Sequence, residues 1–171
     1  MNKQDAFPPK LVRDLMSVGV PTCALGDSVV ELTRWFLEKD VEGAVALDEN
    51  GHGAGVVSRN ELVQAYARGD WQTLTAEEVM RPGMPTVPPD IPLTAAAQIM
   101  QDLNTRIIYI THHAGGIEYP AACLTYQHLL RHLAAQDEAE LKDLGIKAER
   151  ESPIETFTRR RDEALRRAKR G

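Results

Sequence analysis

Apolar residues return at helical spacing in Val29, Leu32, Phe36 and Leu37, with Glu31, Arg34 and Glu38 among them and Trp35 widening the apolar face. That pattern predicts an amphipathic helix opened by Asp27 or Ser28, whose side-chain oxygens can accept the first backbone N–H groups. Before it come a short helical lead-in at Leu11 to Met16 and an extended piece at Pro21 to Leu25. After it, GAVALDENGHGAGVVS reads as two strands around a turn at Asp48 to Gly53, where Asn50 and Gly51 supply positive φ. Helix resumes over Arg59 to Arg68.

The same order then repeats. Pro92 stands near a first helical turn, where its missing N–H costs nothing, and Leu93, Ala96, Ile99, Met100 and Leu103 follow at helical spacing. The hairpin is RIIYITHHAGGIEYPAACLT. The next helix starts at Tyr126 with Leu129, Leu130, Leu133 and Ala134 on one side, and is expected to run on to Gly145. The junctions support duplication: DLMSVGVPT (Asp14 to Thr22) returns as EVMRPGMPT (Glu78 to Thr86), and GVVSRNEL (Gly55 to Leu62) and ACLTYQHL (Ala122 to Leu129) are both apolar runs ending in a hydroxyl residue before a helix. Past the repeats, Ser152, Pro153 and Glu155 form a capping box that opens an Arg-rich helix over Ile154 to Lys169. With few large apolar residues after Phe157, that helix depends on docking for stability.

Composition narrows the class. A chain of 171 residues with 43% hydrophobic content buries a core, and the apolar runs are too short to span a bilayer. A cytoplasmic, non-membrane protein is expected. Cys23 and Cys123 form no CxxC pair and read as reduced, partly buried thiols. Seven of the 20 Lys and Arg lie between Arg159 and Arg170 beside only Asp162 and Glu163, so this tail carries about +5 and the remainder about −10. An acidic body disfavours a broad nucleic-acid face. The tail either contacts RNA or another anionic partner, or docks on its own body or stays solvated; having no Tyr or Trp for base stacking, it fits the second pair of readings better.

The junction residues, in their repeated order, resemble a tandem pair of cystathionine β-synthase (CBS) domains, called a Bateman module, over roughly residues 8 to 135. The resemblance implies an α+β fold of two βαββα repeats related by a pseudo-two-fold axis. The expected divisions are 8–72, 73–135 and a charged helical extension at 136–171. It also implies ligand sites in the clefts between repeats. In the family, Gly, two apolar residues, Thr or Ser, any two residues and Asp join the last strand to its helix. Here Gly55, Ser58 and Glu61 match that pattern, while Ala122, Thr125 and His128 depart further from it. A hydroxyl at a helix start can bind phosphate, and a carboxylate one turn on can accept from both ribose hydroxyls. Arg106 stands where the family often carries a phosphate-contacting Arg, and Gly43 is taken as its counterpart. The expected site is one competent cleft, flanked by Thr22, Ser58 and Glu61 from the first repeat and Arg106 from the second, with adenine against Val45 and Ile108. Thr125 and His128 complete the candidate set. For Ser58 an ordinary helix cap is the competing reading, and for Arg106 a strand-end Arg in water.

His112, His113 and Glu118 offer metal-ligating types, yet they surround a turn, and adjacent strand residues face opposite sides. No nucleophile stands beside an evident base, so catalysis is not expected. Two functions remain. One is a regulatory module sensing AMP, ADP, ATP or S-adenosylmethionine and signalling to an unknown protein. The other is a structural or interaction protein that keeps the fold without the ligand and engages a protein or nucleic acid through its basic tail. A homodimer is expected through helices carrying Trp35, Phe36, Leu129 and Leu133.

Overall fold

The computed structural model describes residues 10–114, 116–137, 139–140 and 153–169. The first repeat contributes α1 (Val12–Leu15), β1 (Ser17–Val18), β2 (Thr22–Ala24), α2 (Val29–Lys39), β3 (Gly43–Leu47), β4 (Gly53–Ser58) and α3 (Arg59–Arg68). The second contributes α4 (Ala76–Val79), β5 (Arg81–Pro82), α5 (Leu93–Asp102), β6 (Ile107–Ala114), β7 (Ile117–Thr125) and α6 (Tyr126–Ala134). A last helix, α7, spans Pro153–Ala168. The duplicated α+β architecture with a C-terminal helix is therefore observed.

Local chemistry sets the element ends. Of the two candidate caps for α2, Ser28 takes the position: its Oγ accepts from the Glu31 N–H at 3.2 Å. Asp27 instead holds the preceding turn, accepting from the Ala24 N–H at 3.0 Å. At the β3–β4 turn only Gly51 has positive φ, at 84°. Asn50 donates its N–H to Asp48 Oδ1 and keeps ordinary backbone geometry, because an Asx turn already directs the chain there. Helix α6 stops at Ala134, well short of Gly145; Ala135 is extended (φ −64°, ψ 136°) and buried. The segment 141–152, with Ser152 of the expected capping box, lies outside the described residues.

Two sheets form, with orders β2-β3-β4-β5 and β1-β7-β6. Each therefore ends on a strand from the other repeat's lead-in. Val18 pairs with Ala122 on β7, and Pro82 pairs with Gly55 on β4. The lead-in helices cross in the same way. The Val12 N–H donates to the Ile91 carbonyl, and the Ala76 N–H donates to the Asp27 carbonyl. Val12 and Leu15 pack in the second repeat's core with Leu93, Met100 and Leu124, whereas Leu74 and Ala76 pack in the first with Leu32, Phe36 and Val57. A third apolar cluster, containing Val20, Val45, Val56, Ile107 and Tyr109, lies between the halves.

Strand register fixes which residues are equivalent. Gly43 pairs with Ser58 in one hairpin and Ile107 with Thr125 in the other. Ile107 is thus the counterpart of Gly43, and Glu42 is the counterpart of Arg106. Backbone bonding agrees: the first N–H of α3 donates to Glu42 O, and the first N–H of α6 donates to Arg106 O. The expected pairing of Arg106 with Gly43 is off by one position, and the correct partner carries the opposite charge.

Candidate functional site

Each crossing lead-in meets the other repeat's strand-to-helix junction, and two clefts result. One is lined by Ser58, Asn60, Glu61, Arg81, Thr105, Arg106 and Tyr126, with a volume of about 210 Å³. The other, about 800 Å³, is lined by Ser17, Thr22, Glu42, Gly43, Thr125 and His128 among others, with α7 along one wall. Ser58, Glu61 and Arg106 therefore share a cleft, as expected, but Thr22 lies in the other one, together with Thr125 and His128. The crossing explains this: a lead-in faces the opposite repeat's junction, not its own. Val45 and Ile108 line neither cleft. Both are fully buried, in two different apolar clusters, so they present no free surface to an adenine ring.

In the first cleft, Ser58 and Glu61 form a capping box. The Ser58 N–H donates to Glu61 Oε2 at 2.9 Å, the Ser58 hydroxyl donates to the same oxygen, and Ser58 Oγ accepts from the Asn60 N–H at 3.1 Å. Capping, the competing reading, is thus a role that Ser58 and Glu61 fill. It occupies only one carboxylate oxygen. Glu61 Oε1 has no hydrogen bond among the described residues and faces Arg81 Nε at 3.9 Å. Arg81 also donates to the Leu103 carbonyl at 3.1 Å, so its side chain lies across the cleft from one repeat to the other. Arg81 is a participant that the sequence reading missed; the repeat alignment of SVGVPT with RPGMPT, which sets Arg81 against Ser17, was the available signal.

In the second cleft, His128 occupies the position of Glu61. The Thr125 N–H donates to His128 Nδ1 at 2.9 Å, which requires an unprotonated nitrogen there. The neutral ring therefore carries its proton on Nε2, which donates to Ser17 Oγ at 2.7 Å. Burial, followed by the nearby Arg131 charge, pushes the His128 pKa down to about 4. The register makes Ser17 the counterpart of Arg81, because Ser17 pairs with Cys123 and Arg81 with Val56. One repeat thus joins lead-in to junction by a neutral Ser–His bond, the other by an Arg–Glu charge pair. Both His128 ring nitrogens are occupied, so His128 offers a ribose hydroxyl neither acceptor nor donor.

Helix α7 docks at this second cleft. Phe157 is buried against Tyr119, with ring centroids 5.0 Å apart, and Ala164 is fully buried. Thr22 Oγ1 donates to the Arg160 carbonyl at 2.9 Å, and Arg167 Nη2 donates to the Thr22 carbonyl at 2.8 Å. The Arg167 guanidinium lies 4.5 Å from the centre of the Trp35 ring, a cation–π distance. Of the readings open for the basic tail, docking on the body is the one observed. Away from the clefts, His112 packs edge-on to Tyr119, and His113 lies 3.6 Å from Glu118 on the neighbouring strand.

The family model for the CBS domain matches twice, at residues 12–68 and 76–135. The chain belongs to the CBS domain family. CBS domain pairs are regulatory ligand-binding modules. Solved CBS pairs share the fold. A conserved CBS domain protein of Thermoplasma acidophilum superposes with a TM-score of 0.64 at 19% identity, covering 80% of this chain and 75% of that one. The CBS domain pair of protein MJ0100, in complex with 5′-methylthioadenosine and S-adenosyl-L-methionine, gives a TM-score of 0.62 at 20% identity, covering 73% of this chain and 100% of that one. Among curated relatives, the arabinose 5-phosphate isomerase KdsD of Pseudomonas aeruginosa is 30% identical over 123 residues, covering 70% of this chain. The match spans 37% of that protein's length, so its activity is not carried over to this CBS pair. Among the described residues no helix is long and apolar enough to cross a membrane.

Proposed function

We propose that this CBS pair is a non-catalytic regulatory module that binds an adenosine-containing ligand in the Glu61 cleft. The observation that carries this reading is Glu61 Oε1, which capping leaves without a hydrogen bond among the described residues and which faces Arg81 Nε at 3.9 Å. It leaves a carboxylate acceptor for ribose hydroxyls beside Arg106 for phosphate, whereas His128 has both ring nitrogens engaged. The adenosine ligands of the MJ0100 pair support the ligand class. A cavity of about 210 Å³ is smaller than the ~300–1,000 Å³ usual for ligand sites, so entry requires Arg81 to swing off Glu61 and the Leu103 carbonyl. That displacement couples ligand to structure, because Arg81 links the two repeats. It can shift their arrangement by no more than the ligand's preference for the opened form.

Calorimetry with adenosine, AMP, ADP, ATP and S-adenosylmethionine tests the site. Glu61→Gln keeps a capping side chain but removes the charge, and should weaken every adenosine ligand about tenfold. Arg106→Ala should weaken ATP more than AMP and leave adenosine unchanged. Unchanged affinities in both variants would move the site elsewhere. No heat from any of the five with the wild type would favour the interaction-only function.

The homodimer belongs to the same reading, with a changed surface. Phe36 is core, Leu129 packs on the second repeat's core, and Trp35 is covered by Arg167, so of the expected contact residues only Leu133 is largely exposed. Register pairs Val63 with Leu130 and Tyr66 with Leu133, and these four are 67%, 61%, 70% and 77% exposed. The duplication thus places the same apolar pair on α3 and α6, as an isologous interface built on equivalent helices requires. Tyr66→Glu with Leu133→Glu should raise the dimer dissociation constant by about thirtyfold or more in sedimentation equilibrium. A wild type that sediments only as monomer at micromolar concentration would dismiss the interface.

A further inference from the structure

We propose that α7 converts the His128 cleft into a second site, for a compact polyphosphate anion, distinct from the adenosyl site at Glu61. The cavity of about 800 Å³ is bounded by six cationic side chains: Lys39 and Arg131 from the CBS body, and Arg159, Arg160, Arg166 and Arg167 from α7. Three carboxylates also line it: Asp40 and Glu42 share one cation, and Glu163 faces another. Asp40 and Glu42 lie 2.7 and 3.7 Å from Arg59, which stands outside the cavity, and Glu163 lies 3.9 Å from Arg159. Six cations against three carboxylates leave the lining net positive. Arg131 and Arg166 make no ion pair or side-chain hydrogen bond with a described residue, and they approach from opposite elements, α6 and α7.

The chemistry of this wall differs from that of the other cleft. His128 is neutral with both ring nitrogens engaged, so this junction lacks the free acceptor that Glu61 supplies in the other cleft. Guanidinium groups, in contrast, bind phosphate oxygens in bidentate fashion, and several of them arranged around one cavity suit a ligand with two or more linked phosphates. The seating of α7 supports a built site. Phe157 and Ala164 bury its apolar side, while the Thr22 and Arg160 backbone contacts and the Arg167–Trp35 stack hold the arginines at the rim without consuming Arg166. The self-docked tail and the anion-binding tail become one arrangement: the helix docks on the body, and the ligand bridges them.

Isothermal titration of the full chain with inorganic tripolyphosphate, at low and at moderate ionic strength, is the test. One tripolyphosphate per chain is expected, with affinity falling as salt rises, and Arg131→Ala with Arg166→Ala should weaken it about thirtyfold. Glu61→Gln should leave it unchanged, which separates this site from the adenosyl cleft whether or not adenosine binds there. Circular dichroism verifies that the double variant is folded; if it is not, each single variant is expected to lose about fivefold. Absence of heat with the wild type overturns the site, as does unchanged affinity in folded variants. Equal affinity for sulfate overturns the polyphosphate class. If Phe157→Ala, which loosens α7, tightens tripolyphosphate binding, the helix is a competitor for the cleft and the proposal is likewise overturned.

Discussion

Gly55→Ala is expected to destabilise the native protein by about 3 kcal/mol, lowering the melting temperature by roughly 6–12 °C. A Cβ at this position would lie 2.5 Å from the Arg81 carbonyl oxygen and 2.8 Å from Met80 Sδ. The first of these is backbone, on the strand paired with β4, and cannot rotate away. Relief would require β5 to separate from β4, carrying Arg81 off Glu61 and opening the Glu61 cleft. Gly26→Ala is the control: an added Cβ meets nothing within 4 Å and the residue has no positive φ, so its effect should stay within about 0.5 kcal/mol. Similar melting temperatures for the two variants would show that β5 yields more easily than this contact implies.

Acidification is expected to remove about 3 kcal/mol of stability through His128 alone. Its pKa is 6.5 in the unfolded chain and about 4 when folded, so folding favours the neutral ring. The contribution is complete above pH 6.5 and is lost as pH falls towards about 4, where the imidazole protonates and Nδ1 can no longer accept from Thr125. His128→Gln retains an acceptor for the Thr125 N–H but cannot titrate. Urea unfolding between about pH 7.5 and about pH 4.5 should show wild type losing stability relative to the variant. The depressed His132 and the elevated Asp27 and Glu42 carboxyls are common to both proteins and cancel in that difference. Parallel losses in the two proteins would show that His128 is not the titrating group.

Much of the fold was legible because the hydrophobic periods switch between helix and strand in the same order twice, with capping residues at the switches. The capping box of Ser58 and Glu61 was readable for the same reason, since a hydroxyl followed three residues later by a carboxylate marks a helix start. The grouping into clefts was not readable. Thr22 was joined to Ser58 because they belong to one repeat, whereas the exchange of lead-ins sends Thr22 to Thr125 and His128. Nothing in the local pattern around Pro21 to Leu25 states which repeat's junction it will face; that depends on the pairing of Val18 with Ala122, far along the chain. The one-residue error at Arg106 has a similar origin. Alignment by residue type matched a strand's first residue to Gly43, and only hairpin register shows that Glu42 is the true counterpart. The basic tail was legible as charge but not as location, because α7 is seated mainly by backbone and aromatic contacts to Thr22, Trp35 and Tyr119.

The exchange of lead-ins also sets an order of events in time. The β3–β4 and β6–β7 hairpins close over short loops and can form while the chain is otherwise open. Strand β1 must wait for β7, near the far end of the duplicated region, and closing so long a loop is entropically costly before its contacts offset it. During synthesis, the N-terminal half therefore emerges with Val12 and Leu15 lacking the core they will enter. The His128 cleft, which needs Ser17 on β1, comes into existence only at this last step, so a ligand that stabilises it would act on the completion of folding as well as on the finished molecule.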